Sequence, residues 1–462
     1  MTQAVNRVFL QLPGEQISSL ARRRRSLALK HQMVVYNSRK QPHQIDLQMR
    51  PWVMTRVQES FFYKTCRLLN SALDRIVPLY LHNPQVRQIV PLEPYEDEWL
   101  RAANARKLQT PRTVFGRIDA TATFAHPRWK DDFWFLEPNE IGIGGVYYIY
   151  GTMAMANEWV VPLLKEKIPA FQPRMANDPQ RLLFLLMRRH ARAIGRPLKR
   201  VALVEDCSEP EGTAEFSSVV QSFRRWGLDA FVADPRQVKS RRGEITVRGK
   251  PVDLIYRDTE LTEMAEMGGR DFSKKFSGMR EAFIQNRGIS SLAGEFDHKS
   301  CWELFTNPQF GHYFTPAQRR LFQKHILWTR LLWERTTTDW NGKSVDLVAC
   351  TQKNRARLVL KPNRAYGGEG VLFGWAVSQS RWDRALATAL REPSQWIVQR
   401  AARVHEELFP EIRPNGRVKL EPFFAVTGFA ATPDGMAVLG RFSEESVVNV
   451  SRRGGLIPVF RL

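Results

Sequence analysis

The stretch Leu358-Val-Leu-Lys361-Pro-Asn-Arg-Ala-Tyr-Gly367-Gly368-Glu-Gly370-Val-Leu-Phe-Gly374 constrains this chain more than any other. An apolar run ends in a lysine, crosses a glycine-rich turn and resumes as a second apolar run. That pattern predicts two strands joined by a loop whose glycines accept left-handed backbone and let other groups approach closely. Two readings fit it. One is an ordinary tight hairpin. The other is a hairpin laid over phosphate groups, with Lys361 as a point charge and backbone N–H groups as an anion cradle. A Walker A loop is excluded: its lysine follows the glycines and opens a helix, whereas Lys361 precedes them.

The 462 residues suffice for one large or two to three smaller cores, and 43% hydrophobic with 25% charged residues reads as globular. No apolar run is long enough to span a bilayer, and no signal-peptide segment opens the chain, so a cytoplasmic protein without a membrane is expected. Cys66, Cys207, Cys301 and Cys350 lie far apart without metal-ligand spacing, which predicts reduced core residues. A net charge of +22 predicts attraction to polyanions such as nucleotides, acidic metabolites or nucleic acid. Its densest cluster, Arg22-Arg23-Arg24-Arg25, falls in a helical pattern and reads as a solvated face. No nucleic-acid-binding motif accompanies it, so a nucleic-acid partner is not expected.

Residues 1–112 read as a mainly helical N-terminal region. Residues 113–176 hold two strand-like runs, Val114–Phe124 and Phe133–Glu137, with a hairpin connection at Pro127-Arg-Trp-Lys-Asp between them. Over 177–290, helices and strands alternate: a helix after Asn177-Asp-Pro179, strand Arg200–Glu205, helix Gly212–Trp226, strands Ala230–Ala233 and Pro251–Arg257. That rhythm predicts a Rossmann-like parallel sheet. Residues 291–462 carry the glycine loop, a helix Arg381–Arg391, strand Trp396–Arg400, and a pair of strands around the turn Pro433-Asp-Gly435. The fold class is therefore α/β with α+β elements.

Residues two apart in a strand point to the same face. Arg117 and Asp119 would share one, and Glu137 and Asn139 another. If the two strands are neighbours, a single surface presents two carboxylates, an amide and a guanidinium, either as a charge network or as oxygen donors for Mg²⁺. Val398-Gln399-Arg400 reads as a buried strand or as an edge-like strand beside an adenine rim. Arg441, Asn449 and Ser451 lead into Gly454-Gly455, which fits a β-turn or an anion site.

Taken together, these motifs resemble circularly permuted ATP-grasp proteins, glutathionylspermidine synthase-like enzymes among them. Lys361-Pro with Tyr366-Gly-Gly-Glu-Gly-Val looks like their glycine-loop signature. Ser446-Val-Val-Asn-Val-Ser-Arg-Arg-Gly-Gly resembles their C-terminal signature. Phe135-Leu-Glu137-Pro-Asn139 is similar to their Glu-x-Asn metal motif, Arg117-Ile-Asp119 to the upstream Arg-x-Asp element, and Asp297-His-Lys299 to a segment with a second nucleotide-binding lysine. The glutamate and asparagine precede the lysine and loop, which is the permuted order.

The resemblance implies an ATP-grasp fold and an ATP-dependent carboxylate–amine ligase that forms an amide through an acyl phosphate and releases ADP. Lys299, Lys361, Tyr366, Gly367, Gly368, Glu369, Gly370, Gln399 and Asn449 would hold ATP, and Asp119, Glu137 and Asn139 would hold Mg²⁺. Arg117 and Arg441 would act catalytically on negative oxygens. The substrates would be a small-molecule or peptide carboxylate and an amine acceptor, and the positive charge hints at an acidic or peptide-like one. There are departures from the pattern. The loop reads Gly-Glu-Gly where glutathionylspermidine synthase has Arg-Glu-Gly, Arg400 stands where an adenine-hinge glutamate is expected, and the spacing from Lys299 to Lys361 implies an insertion around Gln318–Asp346. A catalytically silent ATP-binding interaction protein and a basic nucleic-acid-binding protein are the rival readings.

Overall fold

The computed structural model describes residues 1–36, 41–105, 113–208, 212–213, 215–365, 368–413, 415–445 and 454–462. Its centre is a seven-stranded sheet. Strands Arg117–Ala120 and Phe135–Asn139 form an antiparallel pair at one edge, with Arg117 opposite Asn139 and Asp119 opposite Glu137. Next comes a long hairpin, Val418–Thr432 and Gly435–Ser443, turning at the Pro433-Asp-Gly435 site the sequence marks. From Ala425 onward the strand Val418–Thr432 is buried on both faces, so its apolar pattern runs on without alternating.

The far edge of this sheet is built from both ends of the chain. Gly454–Ile457 pairs in parallel with Asp46–Leu47 there, and Val459–Arg461 then pairs in parallel with Trp52–Met54 in a separate three-stranded sheet completed by Arg174–Met175. These N-terminal strands are two and three residues long, too short for a periodicity to reveal. The other described residues of the N-terminal region form helices and the short strands Val34–Tyr36 and Pro42–Gln44. Helix Arg56–Leu73 starts at a capping box between Thr55 and Gln58 and sends Phe62 onto the sheet, where it stacks on Phe429 at 4.8 Å. The arginine run lies in helix Gly14–Lys30, mostly exposed.

Residues 200–289 form the expected parallel sheet, in the order Asp229–Ala233, Arg200–Val204, Leu254–Arg257, Gly288–Ile289. Helix Pro179–Ala193 begins with Asp178 capping Gln180 and proline at its first turn, and it stops before Gly195, whose φ is +67°. A three-stranded meander from Val238 to Pro251 departs from the alternating rhythm expected there.

The third sheet runs Thr329–Leu331, Trp396–Arg400, Leu358–Pro362, Leu372–Phe373. Leu358, Leu360 and Val398 pack on Trp382 and Leu386 of helix Gln379–Leu390, and each such burial contributes roughly 1.5–3 kcal/mol. The opposite face, with Val359, Gln399 and Thr329 in mutual register and Lys361 two residues on, opposite Ile397, turns toward the central sheet. The segment suspected of being an insertion supplies helix Pro316–His325 and the edge strand Thr329–Leu331, so part of it belongs to this sheet. Among the described residues no helix is long and apolar enough to cross a membrane. The four cysteines are free, but only Cys66, Cys301 and Cys350 are buried; Cys207 is exposed, because it sits in the loop after strand Arg200–Val204.

Candidate functional site

The two sheets meet at Leu136. Its carbonyl accepts from Trp302 Nε1 at 2.9 Å and from Gln399 Nε2 at 3.5 Å. Around this junction the sequence-marked residues converge. The register of the edge hairpin places Arg117, Asp119, Glu137 and Asn139 on one face.

Asp119 is 3% exposed and held by two guanidiniums. Arg117 Nε donates to Oδ1 at 2.8 Å, and Arg441 Nη2 lies 2.7 Å from Oδ2. Burial alone would push this carboxyl up. Arg117 and then Arg441 outweigh it and hold it at about 2. Arg117 also donates to the Gly144 carbonyl, and Asn139 Nδ2 donates to Arg117 O at 3.3 Å. Room for this packing comes from Gly428, opposite Asp119 on the next strand: a Cβ there would meet Arg117 Cδ at 2.5 Å. Sequence reasoning missed Gly428, although a glycine inside a strand signals close approach.

Lys299 and Lys361 approach the same carboxylate from different segments. Lys299 Nζ is 3.5 Å from Glu137 Oε2 and donates to Ala365 O at 2.6 Å. Lys361 is lowered from its ordinary value by burial, with Glu137 acting against and Lys299 with that effect. Asn363 ties the two lysine segments together. Its Oδ1 accepts from Ser300 N at 2.9 Å and its carbonyl from Lys299 N at 3.1 Å. Just beyond, Arg364 makes a bidentate pair with buried Glu96, at 2.8 and 2.9 Å. The glycine loop continues with Gly368 and Gly370 at φ +72° and +67°, conformations glycine adopts freely, and Glu369 is exposed. Tyr366, Gly367, Asn449, Ser451 and most of the C-terminal signature lie outside the described residues.

Gln399 takes the buried one of the two strand readings open to Val398-Gln399-Arg400. Its strand is interior, paired on both sides by Thr329–Leu331 and Leu358–Pro362, so it offers no free edge. Its side-chain amide is turned to Thr329 Oγ1 at 3.0 Å and to Leu136 O. The ladder with Leu358–Pro362 extends one step past Arg400, where Ala401 N–H donates to Arg357 O.

The residues fit the groups the fold implies. Asp119, Glu137 and Asn139 offer only oxygen donors of the kind Mg²⁺ takes. Lys299 and Lys361 both face Glu137, placing two ammonium donors of the kind phosphate oxygens accept from at one point. Arg441 Nε is buried with no hydrogen-bond partner among the described residues, a donor left for an oxygen acceptor.

A cavity of about 960 Å³ adjoins this cluster, lined by the loop Ile141–Val146 that carries the Gly144 carbonyl. It opens at the carboxyl ends of strands Arg200–Val204 and Leu254–Arg257, the point where the order of the parallel sheet reverses direction, which is where open α/β sheets bind ligands. Glu205, Asp206, Asp258, Glu260, Glu263 and Glu266 line it, with no lysine or arginine among its described walls. Glu215 forms its floor, accepting from the N–H groups of Gly145 and Tyr147. Burial and then neighbouring carboxylates raise Glu205 and Asp258 to about 7. The sign of this cavity is opposite to that of the whole chain, and no local sequence motif announces it.

No protein-family model matches the sequence, and no curated protein matches it either. Among solved structures, the apo form of a glutathione synthetase-like effector from Globodera pallida aligns over 98% of this chain and 99% of its own, with a TM-score of 0.62 and 10% identity. A putative gamma-glutamylcysteine synthetase from Methylobacillus flagellatus aligns over 85% and 88% at 8% identity, with a TM-score of 0.37. D-alanyl-alanine synthetase A from Vibrio cholerae aligns over 49% and 66% at 8% identity, with a TM-score of 0.24. The fold is mixed α/β, of the ATP-grasp, glutathione synthetase-like kind.

Proposed function

We propose that the chain is an ATP-dependent carboxylate–amine ligase that works through an acyl phosphate and releases ADP, with its ATP-grasp elements in permuted order. The observation that carries the reading is the convergence of Lys299 and Lys361 on Glu137 between two sheets, beside the Arg117–Asp119–Arg441 cluster. The lysines hold phosphate oxygens, and the glycine loop 366–370 covers them. Glu137 and Asn139 hold Mg²⁺, with Asp119 sharing its remaining lone pairs. When bound, Mg²⁺ neutralises charge on the phosphate oxygens.

Phosphoryl transfer needs positioning and charge neutralisation more than a protein nucleophile. Arg117 and Arg441, fixed by Asp119, stabilise the negative oxygens that develop at the acyl carbon. The adenine rim falls to the segment following Gln399. We assign the acceptor to the carboxylate-lined cavity within residues 177–290, whose charge suits an amine. Residues 1–112, 113–176 and 291–462 then act as the helical region and the two parts of the ATP-grasp core.

The test is release of ADP and phosphate from MgATP in the presence of a panel of carboxylic acids and amines, diamines included. Turnover that requires one acid and one amine together is the expected result. ATP binding with no turnover across a broad panel would favour a silent binding protein instead.

A further inference from the structure

We propose that His126, Asp132 and His405 form a binding site for a transition-metal cation of the Zn²⁺ type, separate from the oxygen-donor site at Glu137. One ligand atom from each of the three lies within 4.8 Å of the others. The imidazoles are tilted against each other with centroids 4.6 Å apart. His405 Nε2 is 3.7 Å from Asp132 Oδ2 and donates a long hydrogen bond, 3.4 Å, to the Asp132 carbonyl, a proton that a bound cation would displace. A tetrahedral cation with bonds of about 2.1 Å holds adjacent ligand atoms about 3.4 Å apart. The His405–Asp132 spacing is close to that value, and small rotamer changes close the widest gap.

The donor chemistry selects the metal. Two imidazoles and one carboxylate suit Zn²⁺ and its neighbours in the first row and do not suit Mg²⁺ or Ca²⁺, which take oxygen. Metal binding needs the lone pair of an unprotonated ring nitrogen; His126 Nδ1 accepts from Arg128 N at 3.2 Å, so the ring would exchange that hydrogen bond for the cation, or change tautomer and bind it through Nε2. Three protein ligands in a half-exposed setting, with the His405 and Asp132 side chains 11% and 32% exposed, leave room for water as a further ligand.

The position gives the site a role. Residues 126 and 132 lie on the connection between strands Arg117–Ala120 and Phe135–Asn139, which carry the arginine, the two carboxylates and the amide of the candidate active site. His405 ends the segment that leaves the third sheet after Arg400 and enters the central sheet at Glu406. A cation here would tie the connection of the edge hairpin to the segment that enters the central sheet, where the His405 carbonyl already accepts from Ala425 N.

The experiment uses the full chain, stripped with chelator and titrated calorimetrically with Zn²⁺ in excess Mg²⁺. One Zn²⁺ per chain is expected, and H126Q and H405Q should each weaken binding by at least about tenfold while far-UV circular dichroism stays unchanged. The Cys207→Ser variant, which removes the exposed thiol, should bind as the parent does. X-ray absorption of the Zn²⁺-loaded parent chain provides a measurement independent of any variant, and two imidazoles are expected in its first shell. No stoichiometric binding, binding unaltered in both histidine variants, or a sulfur shell would overturn the site.

Discussion

Arg441 Nη2 and Asp119 Oδ2 lie 2.7 Å apart, joining a residue near the C-terminus to the first strand of the edge hairpin. With Arg117 on the other oxygen, one buried carboxylate balances two guanidiniums. Asp119→Asn keeps the shape and removes that charge, taking from buried Arg117 and part-buried Arg441 the carboxylate they share. Breaking a buried pair in this way costs roughly 3–5 kcal/mol, and urea unfolding measures it. The pH dependence follows from the depressed carboxyl. Its folded value of about 2 lies below the unfolded one of about 3.9, so its contribution, on the order of 2–3 kcal/mol, is complete above pH ~4 and is lost as pH falls toward 2. The Asp119→Asn variant should lack that part of the acid loss.

Lys361 separates the nucleotide site from fold stability. Its ammonium is buried enough to be lowered and shares Glu137 with Lys299. Lys361→Met removes the charge and keeps the stem length, so thermal unfolding should stay at or above the parent midpoint. ATP affinity should fall at least tenfold, about 1.4 kcal/mol. Normal ATP binding by this variant, measured by calorimetry, would remove Lys361 from the site.

Gly428→Ala tests the packing behind the arginine cluster. The added Cβ would lie 2.5 Å from Arg117 Cδ and 2.9 Å from Asp119 Oδ1, on a strand with partners on both sides. Overpacking of this kind costs about 1–3 kcal/mol. The expected result is a lower denaturation midpoint together with impaired turnover, because Arg117 must move to make room. An unchanged midpoint would show that the cluster is looser than its geometry implies.

Local chemistry explains which parts of this molecule can be read from its sequence. The parallel sheet is legible because Asp178-Pro179 starts its helix, Gly195 and Gly227 stop two helices, and apolar runs separate them. Arg117, Asp119, Glu137 and Asn139 can be placed on one face because strand periodicity is two and the register cooperates. Pairings between distant segments are not legible. Asp46–Leu47 becomes a strand only because Gly454–Ile457 lies beside it. Gln399 reads either as a buried-strand or as an edge residue, and only the pairing with Thr329–Leu331 decides for the buried one. The carboxylates of the cavity come from two strand ends and a helix start, each unremarkable alone, and the net charge of +22 points the other way.

The cavity should make stability fall as pH rises through neutrality. Glu205 and Asp258 are raised to about 7, above their unfolded values of about 4, by burial and by each other's neighbours. Between pH ~4 and ~7 the folded chain therefore holds more protons than the unfolded one, and stability declines across that window. Glu205→Gln and Asp258→Asn should each raise the thermal midpoint at pH 7.5 and leave it nearly unchanged at pH 4. A diamine that binds in the cavity should stabilise the parent more at pH 8 than at pH 5, since more carboxylates are ionised to meet it. Equal stabilisation at both pH values, or in both the parent and the double variant, would place the amine elsewhere.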